Sequence, residues 1–266
     1  MTDPHDAKGF VPSFGRSLKW LPVFHLALSF VVATGIALLV LEIWYPYPYQ
    51  VMGGGMRLFW VILGVDIVCG PLLTWILIRP GKTRRALGVD LALIACLQCG
   101  ALAYGVYALA VARPLAVVYE VDRFRVISYS DIPEEEIKAA PIPAWLTPWG
   151  LQPVKLMGLR SLQGLEAKMA SVEAAFQGVD AAQRPSRWQD YAASKPDVLQ
   201  RAKPVEALHA RYPLEVDHID AAFRAAGVRA GGLWLPLVGR RSAEWVVLLD
   251  PATALIVGYL PLDGFF

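Results

Sequence analysis

Hydrophobic and polar positions change their pattern sharply near residue 112. Before that point apolar residues form long runs; after it they come in short stretches broken by polar ones. The first run is Trp20 to Trp44, WLPVFHLALSFVVATGIALLVLEIW. The second is Leu58 to Ile78, LFWVILGVDIVCGPLLTWILI, and the third is Ala86 to Ala112, ALGVDLALIACLQCGALAYGVYALAVA. A helix that crosses a bilayer needs about 20 apolar residues, so the pattern predicts three transmembrane helices. The first run is long and leads into EIWYPYPYQ, so it reads as a retained anchor and not as a cleaved signal peptide. Pro71 is expected to kink the second span.

The remainder predicts an α+β domain. LAVVYEVDRFRVI, after Arg113-Pro114, reads as one strand over 115–127. Residues 128–153 carry five prolines and read as loop. GLRSLQGLEAKMASVEAAFQG predicts an amphipathic helix stopped by Gly178, with further helices at PSRWQDYAAS and LEVDHIDAAFRAAG. GLWLPLVGR, EWVVLLD and ALIVGYLPL then predict a C-terminal antiparallel β-meander with helices on one face. The expected organisation is a cytoplasmic N-terminal segment (1–19), a three-helix transmembrane domain (20–112) and an extracytoplasmic α+β domain (113–266).

Charge sets the direction. Lys8, Arg16 and Lys19 precede the first span, and Arg79, Lys82, Arg84 and Arg85 separate the second from the third. The loop Tyr45–Met56 has no charge. Basic loops stay in the cytoplasm, so the uncharged loop and everything after Ala112 are expected outside. Trp44, Tyr45, Tyr47, Tyr49, Phe59 and Trp60 are expected as an aromatic belt at the outer interface. Composition agrees: 56% of the 266 residues are hydrophobic and 18% charged, with a net charge of +2. Soluble domains carry about 25% charged residues, and so small a net charge gives no electrostatic basis for nucleic acid. The three cysteines all fall within apolar runs, so no disulfide framework is expected.

Two copies of LGVD put Asp66 and Asp90 inside apolar runs. Helical rise sets their depths. Asp66 is thirteen residues from Arg79, about 20 Å in, near mid-bilayer. Asp90 is five residues past Arg85, about 7 Å in, where it can reach Arg84, Arg85 or His25 as an interfacial polar cluster. Gln98 lies at the depth of Asp66 in the adjacent span. Three roles stay open for Asp66: a hydrogen bond to Gln98 within the bundle, a contact that holds another helix, or handling of an ion or proton. Small residues mark a candidate helix-packing face: Cys69 and Gly70 beside Asp66, and Ala92, Cys96, Cys99 and Ala103 along the third span, extended by Ala110.

Reaction chemistry is not in view. GKT at Gly81–Thr83 lacks the first glycine of a phosphate loop, because Ile76 stands there. His209, Glu215, Asp217, His218 and Asp220 fit no standard zinc spacing. No nucleophile elbow or zincin motif occurs. The expectation is a non-enzyme without cofactor or metal.

Six stretches in fixed order carry a resemblance: WYPYPYQVMGGG (44–55), LGVDIVCGPLLT (63–74), RPGK (79–82), DLALIACLQCGALAYGVY (90–107), RPLAVVYEVDRF (113–124) and the closing WLPLVGR with VVLLDPATALIVGYL. The chain resembles the inner-membrane type IV pilin accessory proteins of the TfpX/TfpZ kind; residues 128–230 are not part of the match. The resemblance implies a non-catalytic accessory protein or chaperone in the bacterial inner membrane. It would stabilise a cognate pilin through the pilin's apolar N-terminal helix, or assist its assembly with the pilus machinery. Two other classes stay open: an anchored periplasmic scaffold of a cell-envelope or secretion system, and an ion-coupled membrane protein using Asp66.

Overall fold

Apolar length decides the first half of the fold. The computed structural model describes residues 20–52, 55–77, 83–138, 143–228, 230–240 and 242–266. The expected segment 1–19, most of the basic loop 79–85 and the side chain of Arg84 lie outside the described residues. Helix α1 (Leu21–Leu38) continues as a π-helical stretch through Leu39–Trp44. A short α2 follows (Tyr49–Met52), then α3 (Gly55–Leu77) and α4 (Arg84–Ala112). Among the described residues three stretches are long and apolar enough to cross a membrane: Leu21–Trp44, Phe59–Leu77 and Arg85–Ala112. Helix α3 runs through Pro71.

The chain divides into two compact units. A helical unit takes Met1–Leu38 and Phe59–Val106. A sheet unit takes Leu39–Leu58 and Tyr107–Phe266, so it includes the segment between the first two long helices.

The sheet unit has β1 (Pro114–Glu120), β2 (Arg123–Ser128), α5 (Glu134–Lys138), β3 (Lys155–Leu159), α6 (Leu165–Phe176) and β4 (Trp188–Asp190). After these come α7 (Lys195–Arg201), β5 (Lys203–Pro204), α8 (Val205–Arg211) and α9 (Val216–Ala225). The last strands are β6 (Leu233–Val238), β7 (Trp245–Leu249) and β8 (Ile256–Leu260). The strands form one sheet in the order β4-β3-β1-β2-β6-β7-β8, with β5 beside β6. Strands β6, β7 and β8 pair antiparallel in sequence order, Leu235 facing Val247 and Leu248 facing Gly258. The sheet as a whole corrects the expected antiparallel form, because it is mixed: β3 runs parallel to β1 and β6 parallel to β2.

Three further expectations are corrected. The single strand 115–127 is a hairpin, β1 against β2, folded at Val121–Asp122 with Val121 at φ 58°. The long helix from Gly158 starts only at Leu165, after Gly164 at φ +82°; Gly158 and Leu159 instead end β3, where they pair with β4, and 160–164 are irregular. Long-range pairing overrides local helical preference there. PSRWQDYAAS is not one helix but 3-10 turns around β4, where Trp188 stacks on Trp145 with ring centroids 6.0 Å apart.

Both faces of the sheet are covered, which explains the unbroken apolar run VVLL in β7. On one face Trp234, Val246 and Leu248 meet Leu208 of α8 and Ile219 and Phe223 of α9. On the other, Leu235, Leu237, Val247 and Leu249 meet Phe124, Val198 and, from the segment between α1 and α3, Tyr49 and Met52. This corrects the expected aromatic belt at Trp44, Tyr45 and Tyr49. Trp44, Tyr45 and Tyr49 are buried in the sheet unit, while Tyr47 is exposed. Each buried ring places its polar tip on a partner, as such rings must. Trp44 Nε1 donates to Gly150 O at 3.2 Å, Tyr45 OH to Leu109 O at 2.8 Å, and Tyr49 OH lies 3.1 Å from Tyr259 OH. Burial pushes the Tyr45 and Tyr49 phenols well above their ordinary range. Phe59, in the helical unit, is buried and Trp60 exposed.

Candidate functional site

The helical unit gathers its polar side chains along one seam of α3. Asp66, Gly70 and Thr74 stand four residues apart, so they share a face. Gln98 of α4 lies across from Asp66: its Nε2 donates to Asp66 Oδ1 at 3.2 Å and stands 3.4 Å from the backbone carbonyl of the same residue. Gly70 makes room for this. A Cβ at Gly70 would lie 2.0 Å from Gln98 Nε2. Seven residues further along α4, a Cβ at Gly105 would lie 2.7 Å from Ile62 Cδ1. The two helices thus approach closely at glycine on both sides of the polar contact.

Thr74 carries the seam to α1. Its side chain is fully buried and its Oγ1 lies 2.7 Å from His25 Nδ1. Ser29, one turn after His25, is buried as well. His25 is expected with Asp90, Arg84 and Arg85; its described hydrogen bond goes to Thr74, which carries no signal in the sequence. Asp90 and Arg85 both lie in the first half of α4, Asp90 half-buried and Arg85 exposed. Thr34 turns back on its own helix and donates to Phe30 O at 2.8 Å.

Of the candidate packing face within the helical unit, only Gly70 is buried. Cys69, Ala92, Cys96, Cys99 and Ala103 are exposed in the helical unit. On α4 the four small residues repeat at intervals of four, three and four. They face away from the side that carries Gln98, Ile94 and Gly105. The outward surface of α4 therefore carries a row of small residues flanked by the exposed side chains of Leu93, Leu97 and Tyr104, and the inward surface carries the polar contact. Ala110 belongs to the sheet unit and is fully buried there.

The sheet unit offers less. Arg113 follows the last turn of α4, where a positive charge complements the helix C-terminus. It is buried, donates from Nη2 to Thr147 O at 3.1 Å and lies over the Trp44 ring at 6.0 Å. Burial pulls its guanidinium below the ordinary range, with the nearby Tyr45 opposing. A cavity of about 380 Å³ is walled by Arg160, Arg187 and Arg201 with Asp197 and Ser194. Burial, then the charge of Arg184, lower the Arg187 guanidinium; Glu120 and Glu136 oppose. His209 Nε2 lies 2.9 Å from Asp220 Oδ1. Among the described residues no group of three His, Cys, Asp or Glu side chains could hold a metal ion.

The chain has relatives over most of its length. The fimbrial assembly protein of serogroup E1 from Dichelobacter nodosus is 39% identical over 231 residues, 85% of this chain and 88% of that protein. The serogroup I protein of the same organism is 38% identical over 232 residues, with the same two shares. This chain belongs to the fimbrial assembly protein family. The family model described as fimbrial assembly protein FimB matches residues 21–54, which hold α1 and the segment whose Tyr49 and Met52 enter the core of the sheet unit. The fimbrial assembly protein of serogroups C1 and C2 is 44% identical over 116 residues, 44% of this chain and 88% of that protein. No solved structure matches the chain.

Proposed function

We propose that this protein is an accessory protein of the bacterial inner membrane that stabilises a cognate type IV pilin, or assists its assembly, without catalysis, as a member of the TfpX/TfpZ kind. Membership of the fimbrial assembly family over 85% of the chain carries the reading. Three apolar stretches long enough to cross a bilayer supply the anchor. The basic residues at Arg16, Lys19, Lys82 and Arg85 orient it, with the N-terminus in the cytoplasm and the sheet unit in the periplasm. The occupant of the outward strip Ala92, Cys96, Cys99 and Ala103 is the apolar N-terminal helix of the pilin, because small side chains let membrane helices approach closely. The Asp66–Gln98 and His25–Thr74 contacts hold the bundle so that this strip is presented. Pilus assembly machinery is a further partner.

Deletion of the protein tests the reading. Pilin level or surface pili should fall while growth stays normal. Pilin level, surface pili and pilus-dependent movement all unchanged in the deletion strain would reject it. Orientation is tested by an enzyme reporter active only outside the cytoplasm, fused after Gly264, where activity is expected, or at Thr83, where activity would reverse the assignment.

A further inference from the structure

Helix α6 is built the wrong way round for a helix that serves only its own unit. Leu165, Met169, Val172 and Phe176 repeat at intervals of four, three and four, the spacing of a single apolar seam. That seam faces solvent: the four side chains are 74%, 63%, 55% and 88% exposed. The opposite face is small. Ala167, Ser171 and Ala174 are half-buried, and Arg187 Nη1 donates to Ser171 Oγ at 3.0 Å. α9 shows the usual arrangement, with Ile219 and Phe223 buried four residues apart. Four large apolar groups in a row on a surface mark a site that something covers.

The charges beside the seam say what covers it. In heptad terms Leu165 and Val172 are d positions and Met169 and Phe176 are a positions. Lys168 is then g, and Glu166 and Glu173 are e. In a parallel pair the g residue of one helix lies beside the e residue five positions on in its partner. Lys168 and Glu173 are five apart, so two copies of α6 side by side place Lys168 of each against Glu173 of the other. An antiparallel pair would set like flanks together, with glutamates facing glutamates. The small face, at c and f, is on the outside of such a pair, so the rest of each sheet unit stays clear of the seam. We propose that α6 is a self-association surface through which a second copy of this chain pairs, helix parallel to helix, about a twofold axis. The helix is about 18 Å long at 1.5 Å per residue. It offers less than the roughly 800 Å² per partner of a standard interface. The pair therefore forms where copies are concentrated, which confinement to a membrane plane supplies much as a tether does; this point of strength rests on the proposed membrane anchorage.

The test uses the full chain in lipid vesicles, with donor and acceptor fluorescent proteins fused after Phe266 and energy transfer measured against protein density. A non-associating membrane protein at equal density gives the proximity baseline. The parent protein should rise above that baseline. Val172→Asp, a change at an exposed position, should return it to baseline. Lys168→Glu and Glu173→Lys should each weaken pairing about tenfold, because each replaces two attractive pairs with repulsive ones. The double reversal, Lys168→Glu with Glu173→Lys, should restore pairing. Transfer at baseline in the parent, indifference to Val172→Asp, or a double reversal no better than the single ones each overturns the proposal. The vesicles contain no pilin, so failure here leaves the proposed function standing, and a null deletion phenotype leaves this result standing.

Discussion

The two units are held together by different means. In the sheet unit apolar burial does most of the work: three clusters of buried side chains cover both faces of the sheet. In the helical unit most large apolar side chains face outward, among them Phe24, Phe30, Val68 and Leu97. In the proposed membrane setting those side chains lose nothing by facing lipid, so packing must come from glycine contacts and a few polar pairs. Burial strengths follow. One aromatic ring of the sheet unit carries more energy than a whole polar pair of the helical unit.

The largest expected effect is therefore Trp234→Ala. Trp234 is fully buried, stacks on Phe266 with centroids 5.5 Å apart and donates from Nε1 to Pro204 O at 2.9 Å. Truncation should cost about 3–5 kcal/mol, with a matching fall in the thermal midpoint of the full chain in detergent. Tyr49→Ala comes next, at about 3 kcal/mol, because the ring leaves the same kind of core. Tyr49→Phe should cost about 1 kcal/mol through the lost contact with Tyr259. If Tyr49→Ala leaves the midpoint unchanged, the segment between the first two long helices is not part of the sheet unit's core.

What the sequence made legible follows the same division. A run of 20 apolar residues has few alternatives to a long helix, so all three are plain. The burial of Trp44, Tyr45 and Tyr49 is not, because rings beside a span look alike whether they face headgroups or a fold. Their partners, Gly150, Leu109 and Tyr259, are as far as 210 residues away along the chain. Strand β3 was hidden for a related reason: its five residues KLMGL gain strand structure from β1 and β4, not from their own pattern. Depth counting put Asp66 level with Gln98. It would also have put His25, six residues past Lys19, level with Thr74, five before Arg79. A threonine hydroxyl can always return to its own helix, as Thr34 does, so Thr74 gave no signal.

A smaller effect separates the units by pH. Glu136 accepts from Ser186 N at 3.0 Å and Arg184 Nε at 3.1 Å. Burial alone would raise its carboxyl, but the Ser186 hydrogen bonds and then Arg184 outweigh it, and the carboxyl sits below the ordinary range. A depressed carboxyl contributes stability that is present above its unfolded value of about 4.3 and is lost as pH falls through the lower folded value. The sheet unit should lose stability as pH drops below that point, and Glu136→Gln should flatten that part of the curve. An identical acid limb in Glu136→Gln would show that other carboxylates set it.

The smallest effect is the most informative about the helical unit. Asp66→Leu removes the acceptor that Gln98 Nε2 reaches at 3.2 Å. Hydrogen bonds between membrane helices average about 0.6 kcal/mol by double-mutant cycles, so bundle stability should fall only slightly. Asp66→Asn keeps an oxygen in the same place and should be close to silent if the side chain only accepts from Gln98. The cycle Asp66→Leu, Gln98→Leu and both together should return a coupling of about 0.6 kcal/mol, read from the detergent-induced unfolding of the helices. The same variants in cells separate structure from chemistry, because an asparagine preserves the hydrogen bond and abolishes titration. Normal pilin level with Asp66→Asn places the residue with His25 and Thr74 as part of what holds the helices together. A lost pilin phenotype with Asp66→Asn, at normal abundance of the protein, would mean that the proton or the charge of Asp66 is used, and the seam along α3 would then be a conduit and not a clasp.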